Sequence, residues 1–101
     1  MSVESIQATV AARFGLSVAQ LTSARRTATI NWGRQVAMSL VRDLTDESLP
    51  SIGRAFGGRN HATVHNALQR VSDRLATDPE AVEIVRQLRS QLVGEHDDRR
   101  S

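Results

Sequence analysis

The chain has 101 residues, of which 40% are hydrophobic, 24% charged and 3% aromatic, so we expect one compact domain with a single core rather than two domains. It has no cysteine, and all thirteen of its basic residues are arginines. This composition excludes disulfides, thiolate metal sites, Schiff-base chemistry and the lysine of a phosphate-binding loop. No apolar run reaches the ~18 residues of a membrane span and no signal-peptide pattern is present, so a cytoplasmic protein is predicted.

The formal net charge is only +2, but the acidic residues are unevenly placed. None occurs over 5–42 or 48–72, and these two acid-free windows hold eight arginines: Arg13, Arg25, Arg26, Arg34, Arg42, Arg54, Arg59 and Arg70. From residue 71 onward, five arginines stand against seven carboxylates. A surface without carboxylates suits a polyanion, because each Asp or Glu would repel its phosphates. Chance clustering on solvated helix faces is the alternative interpretation.

The first segment is predicted to be an amphipathic helix that ends at Gly15, because its apolar residues recur every three or four positions. These residues are Val3, Ile6, Val10 and Phe14. Ser17 then caps a short helix that includes Leu21. The stretch Thr22–Gly33 has no sustained period and is predicted to be an arginine-bearing loop. Helical spacing returns at about Arg34 and continues to Leu44, which predicts a third, central helix.

A helix-turn-helix pattern follows. Ser48 is predicted to cap a two-turn helix with Pro50 in its first turn, where a missing N–H costs nothing. Gly57-Gly58 can adopt the positive φ angles of a tight reversal, and Asn60 is a suitable cap for a longer helix.

The last helix is predicted to begin with Asp78 as its cap and Pro79 in the first position. After Gly94 the chain has no apolar residue, so residues 95–101 are expected to be a disordered tail on a single helical domain over 1–94. No strand pattern or repeat occurs, and the predicted fold class is all-α.

The candidate site lies at the start of the second helix of this motif, where the side chains are short, polar or hydrogen-bonding: Arg59, Asn60, His61, Ala62 and Thr63, followed by His65 and Asn66. In a helix-turn-helix protein this turn meets base edges in the major groove. The alternative is an ordinary helical hairpin with a solvated polar end.

His61 and His65 have the spacing of a zinc-binding pair, but Ala62 stands where a metalloprotease needs its catalytic Glu, and no third ligand is near in sequence. We therefore predict a DNA contact for His61, no metal, no cofactor and no enzymatic activity.

In the predicted loop, Arg25 and Arg26 suit either a phosphate clamp or insertion into a narrow A·T-rich minor groove. Arg34 and Gln35 are predicted to open the third helix beside them. Solvated surface arginines are the alternative. Trp32 is predicted to pack over the end of the third helix, with base or ribose stacking as the less favoured role.

The run from Leu49 to Val64 closely resembles the signature of the C-terminal DNA-binding domain of the bacterial replication initiator family DnaA. Further counterparts occur at Ile6–Phe14, at Leu21 with Arg25-Arg26, at Arg34–Met38 and at Leu44-Thr45, so the resemblance covers residues 4 to 93. It implies a compact all-α domain of the TrpR-like, DnaA C-terminal type. It also implies binding to the short A·T-rich sequence called the DnaA box.

By this resemblance Arg26 enters the minor groove with Arg25 beside it, and the opening of the second helix reads the major groove. Contacts to the DNA backbone fall to Arg34, Gln35, Leu49 and Pro50, and Ala67 is a small residue that allows close approach. Where the family reads Arg-Asp-His-Thr-Thr, this chain has Asn60 and Ala62 in place of Asp and the first Thr. Because Asn suits adenine and Ala can touch a thymine methyl, the resemblance implies an altered base preference. The segment Asn31-Trp32-Gly33 also departs from the basic, proline-containing family pattern.

We therefore predict a sequence-specific binder of double-stranded DNA that serves replication initiation or transcription regulation. Other protein subunits are further candidate partners, whereas a membrane and a nucleotide are not expected. The alternative is a protein-interaction module that kept the fold and lost DNA binding. The family's nucleotide-binding domain is absent from these residues, which fits both a fragment of an initiator and a free-standing regulator.

Overall fold

The computed structural model describes residues 1–98, with side chains up to Gly94, and is built from six helices. In chain order these are α1 (Val3–Arg13), α2 (Val18–Leu21), α3 (Ala28–Leu44), α4 (Leu49–Ala55), α5 (His61–Thr77) and α6 (Pro79–Asp98). The described residues contain no strand, so the predicted all-α class is confirmed. None of the helices over 1–98 combines the length and apolarity needed to cross a bilayer.

Every helix begins at a side chain that accepts a hydrogen bond from an amide of the first turn, which satisfies one of the otherwise unpaired N–H groups there. The capping residues are Ser2, Ser17, Thr27, Ser48, Asn60 and Asp78. The caps predicted at Ser17, Ser48, Asn60 and Asp78 are therefore confirmed. Gly15 has a φ of +68° and follows the end of α1, as the sequence predicts.

The predicted start of the third helix was wrong, because α3 begins at Ala28 instead of near Arg34. Thr27 caps it by accepting from the Ile30 amide at 3.4 Å, and Ile30 is buried. Arg34 is buried within the apolar face of α3, and a charged residue there interrupts the pattern of apolar residues from which a helix is predicted. The connecting loop consequently shrinks to residues 22–27, and Arg34 and Gln35 lie inside the helix.

The predicted end of the last helix was also wrong, because α6 continues past Gly94 to Asp98. Gly94 does not adopt a positive φ, and a glycine inside a helix costs about 1 kcal/mol without ending it. Residues 99–101 of the predicted tail lie outside the described residues.

The core is arranged around α3, which packs against α1, α2, α4 and α5, while α6 closes over α1 and α5. Its largest fully buried side chains come from all six helices and from the residue after α4: Ile6, Leu21, Leu40, Ile52, Phe56, Val64 and Leu88. Burial of each such side chain stabilises the fold by roughly 1.5–3 kcal/mol. Trp32 is 8% exposed and the guanidinium of Arg74 lies 4.0 Å from its ring centroid, so the predicted packing role is confirmed, within α3 rather than over its end.

Candidate nucleic-acid interface

The turn between α4 and α5 is fixed by backbone hydrogen bonds to one carbonyl. The oxygen of Gly53 accepts from the amides of Phe56, Gly58 and Arg59 at 3.2, 3.1 and 2.9 Å. Gly57 and Gly58 have φ angles of +88° and +78°, which confirms the predicted glycine reversal. The two helices of the motif are thereby held in one relative orientation.

The first turn of α5 faces solvent. Asn60, His61, Ala62 and Thr63 are all exposed, whereas Val64 in the next position is fully buried. The Oδ1 atom of Asn60 accepts from the Thr63 amide at 2.9 Å, so this oxygen is committed to capping the helix. The helix dipole and the remaining amides of this turn favour an acceptor-rich ligand.

A cleft of about 500 Å³ lies beside this helix end, between α5 and the segment formed by the 22–27 loop and α3. We call it the arginine cleft. Its lining consists of Arg26, Asn31, Arg34, Gln35, Met38, Arg59, Thr63, Asn66, Ala67 and Arg70. Four of these side chains are cationic, four others carry hydrogen-bonding groups, and none is a carboxylate. Such a lining is suited to an anion.

Arg34 forms the buried floor of the arginine cleft and is 5% exposed. Its guanidinium donates to the carbonyls of Leu21 at 2.7 Å, Ser23 at 2.7 Å and Arg25 at 3.0 Å, and to Asn31 Oδ1 at 3.0 Å. Four of its five N–H donors are thus engaged within the protein. Burial lowers the pKa of Arg34, and the positive charges of Arg59 and Arg26 lower it further.

Arg59 is half-buried at the end of the turn that contains Gly57 and Gly58, which we call the glycine turn. Its guanidinium donates through Nη1 to the Phe56 carbonyl and through Nη2 to the Ser23 carbonyl, the latter at 2.7 Å. Burial lowers the pKa of Arg59, with a second contribution from the charge of Arg26. Arg59 therefore lines the cleft with its guanidinium bound to backbone carbonyls, whereas the residues that follow it at the start of α5 are exposed.

The acidic residues of the C-terminal third whose side chains are described form no ion pair with this region. Among the side chains of residues 1–94, the ion pairs are Arg74–Asp78, Arg86–Glu83 and Arg89–Asp43. All three arginines lie after residue 71, so none of the eight arginines of the acid-free windows is paired with a described carboxylate. The cationic character inferred from the charge pattern is retained in three dimensions.

Six of the predicted site residues line the arginine cleft: Arg26, Arg34, Gln35, Arg59, Thr63 and Ala67. Of the others, Asn60, His61 and Ala62 form the adjoining helix end, and Arg25 precedes Arg26 in the loop. Leu49 and Pro50 lie at the start of α4, outside the cleft.

Sequence reasoning left Asn31, Met38, Asn66 and Arg70 out of the predicted site, although it had noted Asn66 among the polar residues after the helix opening. The signal for the last two was available, because Thr63, Asn66 and Arg70 are spaced by three and four positions and so share one face of α5. Asn31 was missed because its segment was predicted to be a loop, so no helical spacing placed it on the same face as Arg34, three residues later in α3.

A short helix, a glycine turn and a longer helix with an exposed, cationic opening define a helix-turn-helix protein of the DNA-binding class. The family described as the bacterial DnaA protein helix-turn-helix matches residues 3–71. The chain belongs to this family, whose members are non-catalytic DNA-binding domains. The match includes α1 to α4 and most of α5 but not α6, so it ends short of the residue 93 reached by the resemblance drawn from the sequence.

Proposed function

We propose that this domain binds a DnaA-box-like, A·T-rich site in double-stranded DNA, in the service of replication initiation or transcription regulation. The opening of α5 reads the major groove and Arg26 reads the adjacent minor groove. The observation that carries this proposal is that Arg26 and the opening of α5 both border one carboxylate-free cleft lined by four arginines.

The shape of the cleft supports simultaneous reading of two grooves. Neighbouring major and minor grooves of a duplex are separated by one phosphodiester strand, so a domain that reads both must accommodate that strand between its two reading elements. The arginine cleft lies in this position, between the loop that carries Arg26 and the start of α5. Gln35, Asn66 and Arg70 supply donors for its phosphates, while Arg34 has one unengaged N–H.

The side chains at the helix opening suggest which bases differ from the family preference. Asn60 uses its oxygen as the helix cap, which leaves its NH₂ group to donate to a base acceptor such as adenine N7 or thymine O4. Ala62 presents only a methyl group, which suits contact with a thymine methyl. Each changed base contact is worth roughly 1–3 kcal/mol.

The proposal is tested by titrating the protein against a DnaA-box duplex and a scrambled duplex of equal composition, followed by selection of bound sequences from random duplexes. We expect a selected site that is related to the DnaA box and bound at least about 1,000-fold more tightly than the scrambled duplex. Equal affinity for both duplexes would contradict sequence-specific binding. Negligible affinity for any duplex, together with saturable binding to a protein partner, would favour the interaction-module alternative.

Truncation of either groove-reading side chain is expected to weaken the specific complex. Arg26→Ala removes the minor-groove cation and His61→Ala removes a major-groove contact, and each should cost about 1–3 kcal/mol, or roughly 5- to 150-fold in Kd. Fluorescence anisotropy with the selected duplex measures both effects. Arg86→Ala is the control, because Arg86 pairs with Glu83 on α6 and its loss should leave Kd unchanged. Wild-type affinity in both the Arg26→Ala and the His61→Ala variant would show that the groove assignments are wrong.

A further inference from the structure

Three separate parts of the molecule meet at one backbone carbonyl, that of Ser23. It accepts from Arg34 Nη2 of α3 at 2.7 Å and from Arg59 Nη2 of the glycine turn at 2.7 Å. Ser23 itself lies in the 22–27 loop that carries Arg26. The carbonyl therefore joins the loop to α3 and to the residue that immediately precedes the cap of α5.

Other contacts extend this junction to Arg26 itself. Arg34 Nη1 donates to Asn31 Oδ1 at 3.0 Å, and Asn31 Nδ2 donates in turn to the Arg26 carbonyl at 3.3 Å. Arg34 also holds the Arg25 carbonyl at 3.0 Å. The peptide groups immediately before and after the Cα atom of Arg26 are thus held from α3.

The glycine turn is packed directly against the start of the same loop. A Cβ atom at Gly57 would overlap the carbonyl oxygen of Thr22 and lie 2.8 Å from Arg59 Nη1. The turn and the loop are therefore in backbone contact, and the position of the loop is set relative to the start of α5.

This junction is electrostatically unusual, because two guanidinium groups share one neutral acceptor with no carboxylate in the cleft lining. Burial lowers the pKa of both arginines; the charges of Arg59 and Arg26 lower the pKa of Arg34 further, and the charge of Arg26 lowers that of Arg59. A carboxylate in the place of the carbonyl would stabilise the pair but would also cancel the positive charge facing the cleft. Backbone carbonyls hold the loop and leave that charge intact.

We propose that Arg59 and Arg34 are positioning residues that, through the Ser23 carbonyl, set the distance between Arg26 and the opening of α5. They thereby fix the register in which the minor and major grooves are read together. This inference rests on the proposed function, and it gives Arg59 a role different from the direct major-groove contact implied by family resemblance.

A double-mutant cycle on DNA binding tests the inference. Arg59→Lys keeps the positive charge but replaces the planar fork that reaches two carbonyls. We expect it to weaken binding to the selected site about 10-fold, with unchanged affinity for scrambled DNA and an unchanged salt dependence. In an Arg26→Ala background, Arg59→Lys should weaken binding to the selected site less than 2-fold, because the loop no longer has an arginine side chain to position.

Arg70→Lys is the matched control for the cycle, since Arg70 lines the cleft without a contact to the loop carbonyls. The fold losses of affinity caused by Arg70→Lys and by Arg26→Ala are expected to multiply in the double variant. If Arg59→Lys also multiplies with Arg26→Ala, or weakens specific and scrambled complexes equally, Arg59 contacts DNA directly and the positioning role is overturned.

Hydrogen exchange of the DNA-free protein supplies a readout that is independent of the proposed function. Arg59→Lys should accelerate amide exchange in residues 22–27 at least 10-fold, while amides of α1 and α6 keep their wild-type rates. Unchanged exchange in 22–27 would overturn the inference whatever the DNA data show. If Arg59→Lys accelerates exchange but the wild-type protein binds both duplexes equally, the junction exists and the proposed function is wrong. The proposed register would then be wrong as well.

Discussion

Raising the salt concentration from 50 to 200 mM is expected to weaken the DNA complex about 500-fold, which corresponds to a slope of log affinity against log salt near −4.5 for about five neutralised phosphates. The physical reason is the release of counterions from DNA when arginines replace them. The arginines of the acid-free windows have no described carboxylate as an ion-pair partner, so they are available to phosphates without first breaking a pair.

The measurement is a series of anisotropy titrations at several chloride concentrations with the same duplex. Arg70→Ala should make the slope less steep by about one, because one phosphate contact is lost. Arg86→Ala should not change it, since that side chain is paired with Glu83 outside the cleft. A slope near zero in the wild type would show that the arginine cleft does not face the DNA backbone.

The second large effect concerns stability, and it is expected from Gly53→Ala. A Cβ atom at this position would overlap the carbonyl oxygen of Arg59 and lie 2.9 Å from its carbonyl carbon. These are backbone atoms of the glycine turn and cannot rotate away as a side chain could. The Gly53 carbonyl also accepts the three amides that shape the turn, so any shift of the turn weakens those bonds. We expect a loss of about 3 kcal/mol in the free energy of unfolding.

Thermal or urea unfolding followed by circular dichroism measures this change, and a loss of that size lowers Tm by on the order of 15 °C. Gly94→Ala is the matched control. A Cβ atom there meets nothing within 4 Å, and replacing a helical glycine by alanine should stabilise the protein by up to about 1 kcal/mol. If Gly53→Ala unfolds like the wild type, the close approach of α4 to the glycine turn is incorrect.

The arginine cleft and the helix-turn-helix depend on the same small set of backbone contacts. Gly53 shapes the turn that ends at Arg59, and Arg59 connects that turn to the loop of Arg26. A substitution that displaces the turn is therefore expected to disturb stability and DNA discrimination together, whereas Arg70→Ala should affect binding alone. Comparing the two kinds of variant separates the folding role of this region from its contact with DNA.

Much of the architecture follows from interactions within three or four residues of the chain. The caps at Ser17, Ser48, Asn60 and Asp78, and the reversal at Gly57-Gly58, depend on local hydrogen bonds and on positive φ angles, so residue type and spacing were enough to predict them. The exposed opening of α5 followed from the same signals. Where the local signal was mixed, prediction failed: α3 begins a turn and a half before Arg34, and α6 continues through Gly94.

What the amino-acid sequence determined by itself was the all-α class, the helix-turn-helix and the separation of arginines from carboxylates along the chain. Only the tertiary structure decided which arginines face the cleft and which are used to hold its walls. The Ser23 carbonyl meets Arg34 across 11 residues and Arg59 across 36. Contacts between such distant residues leave no periodic or capping signal, because they form only when α3 and the glycine turn pack around the loop.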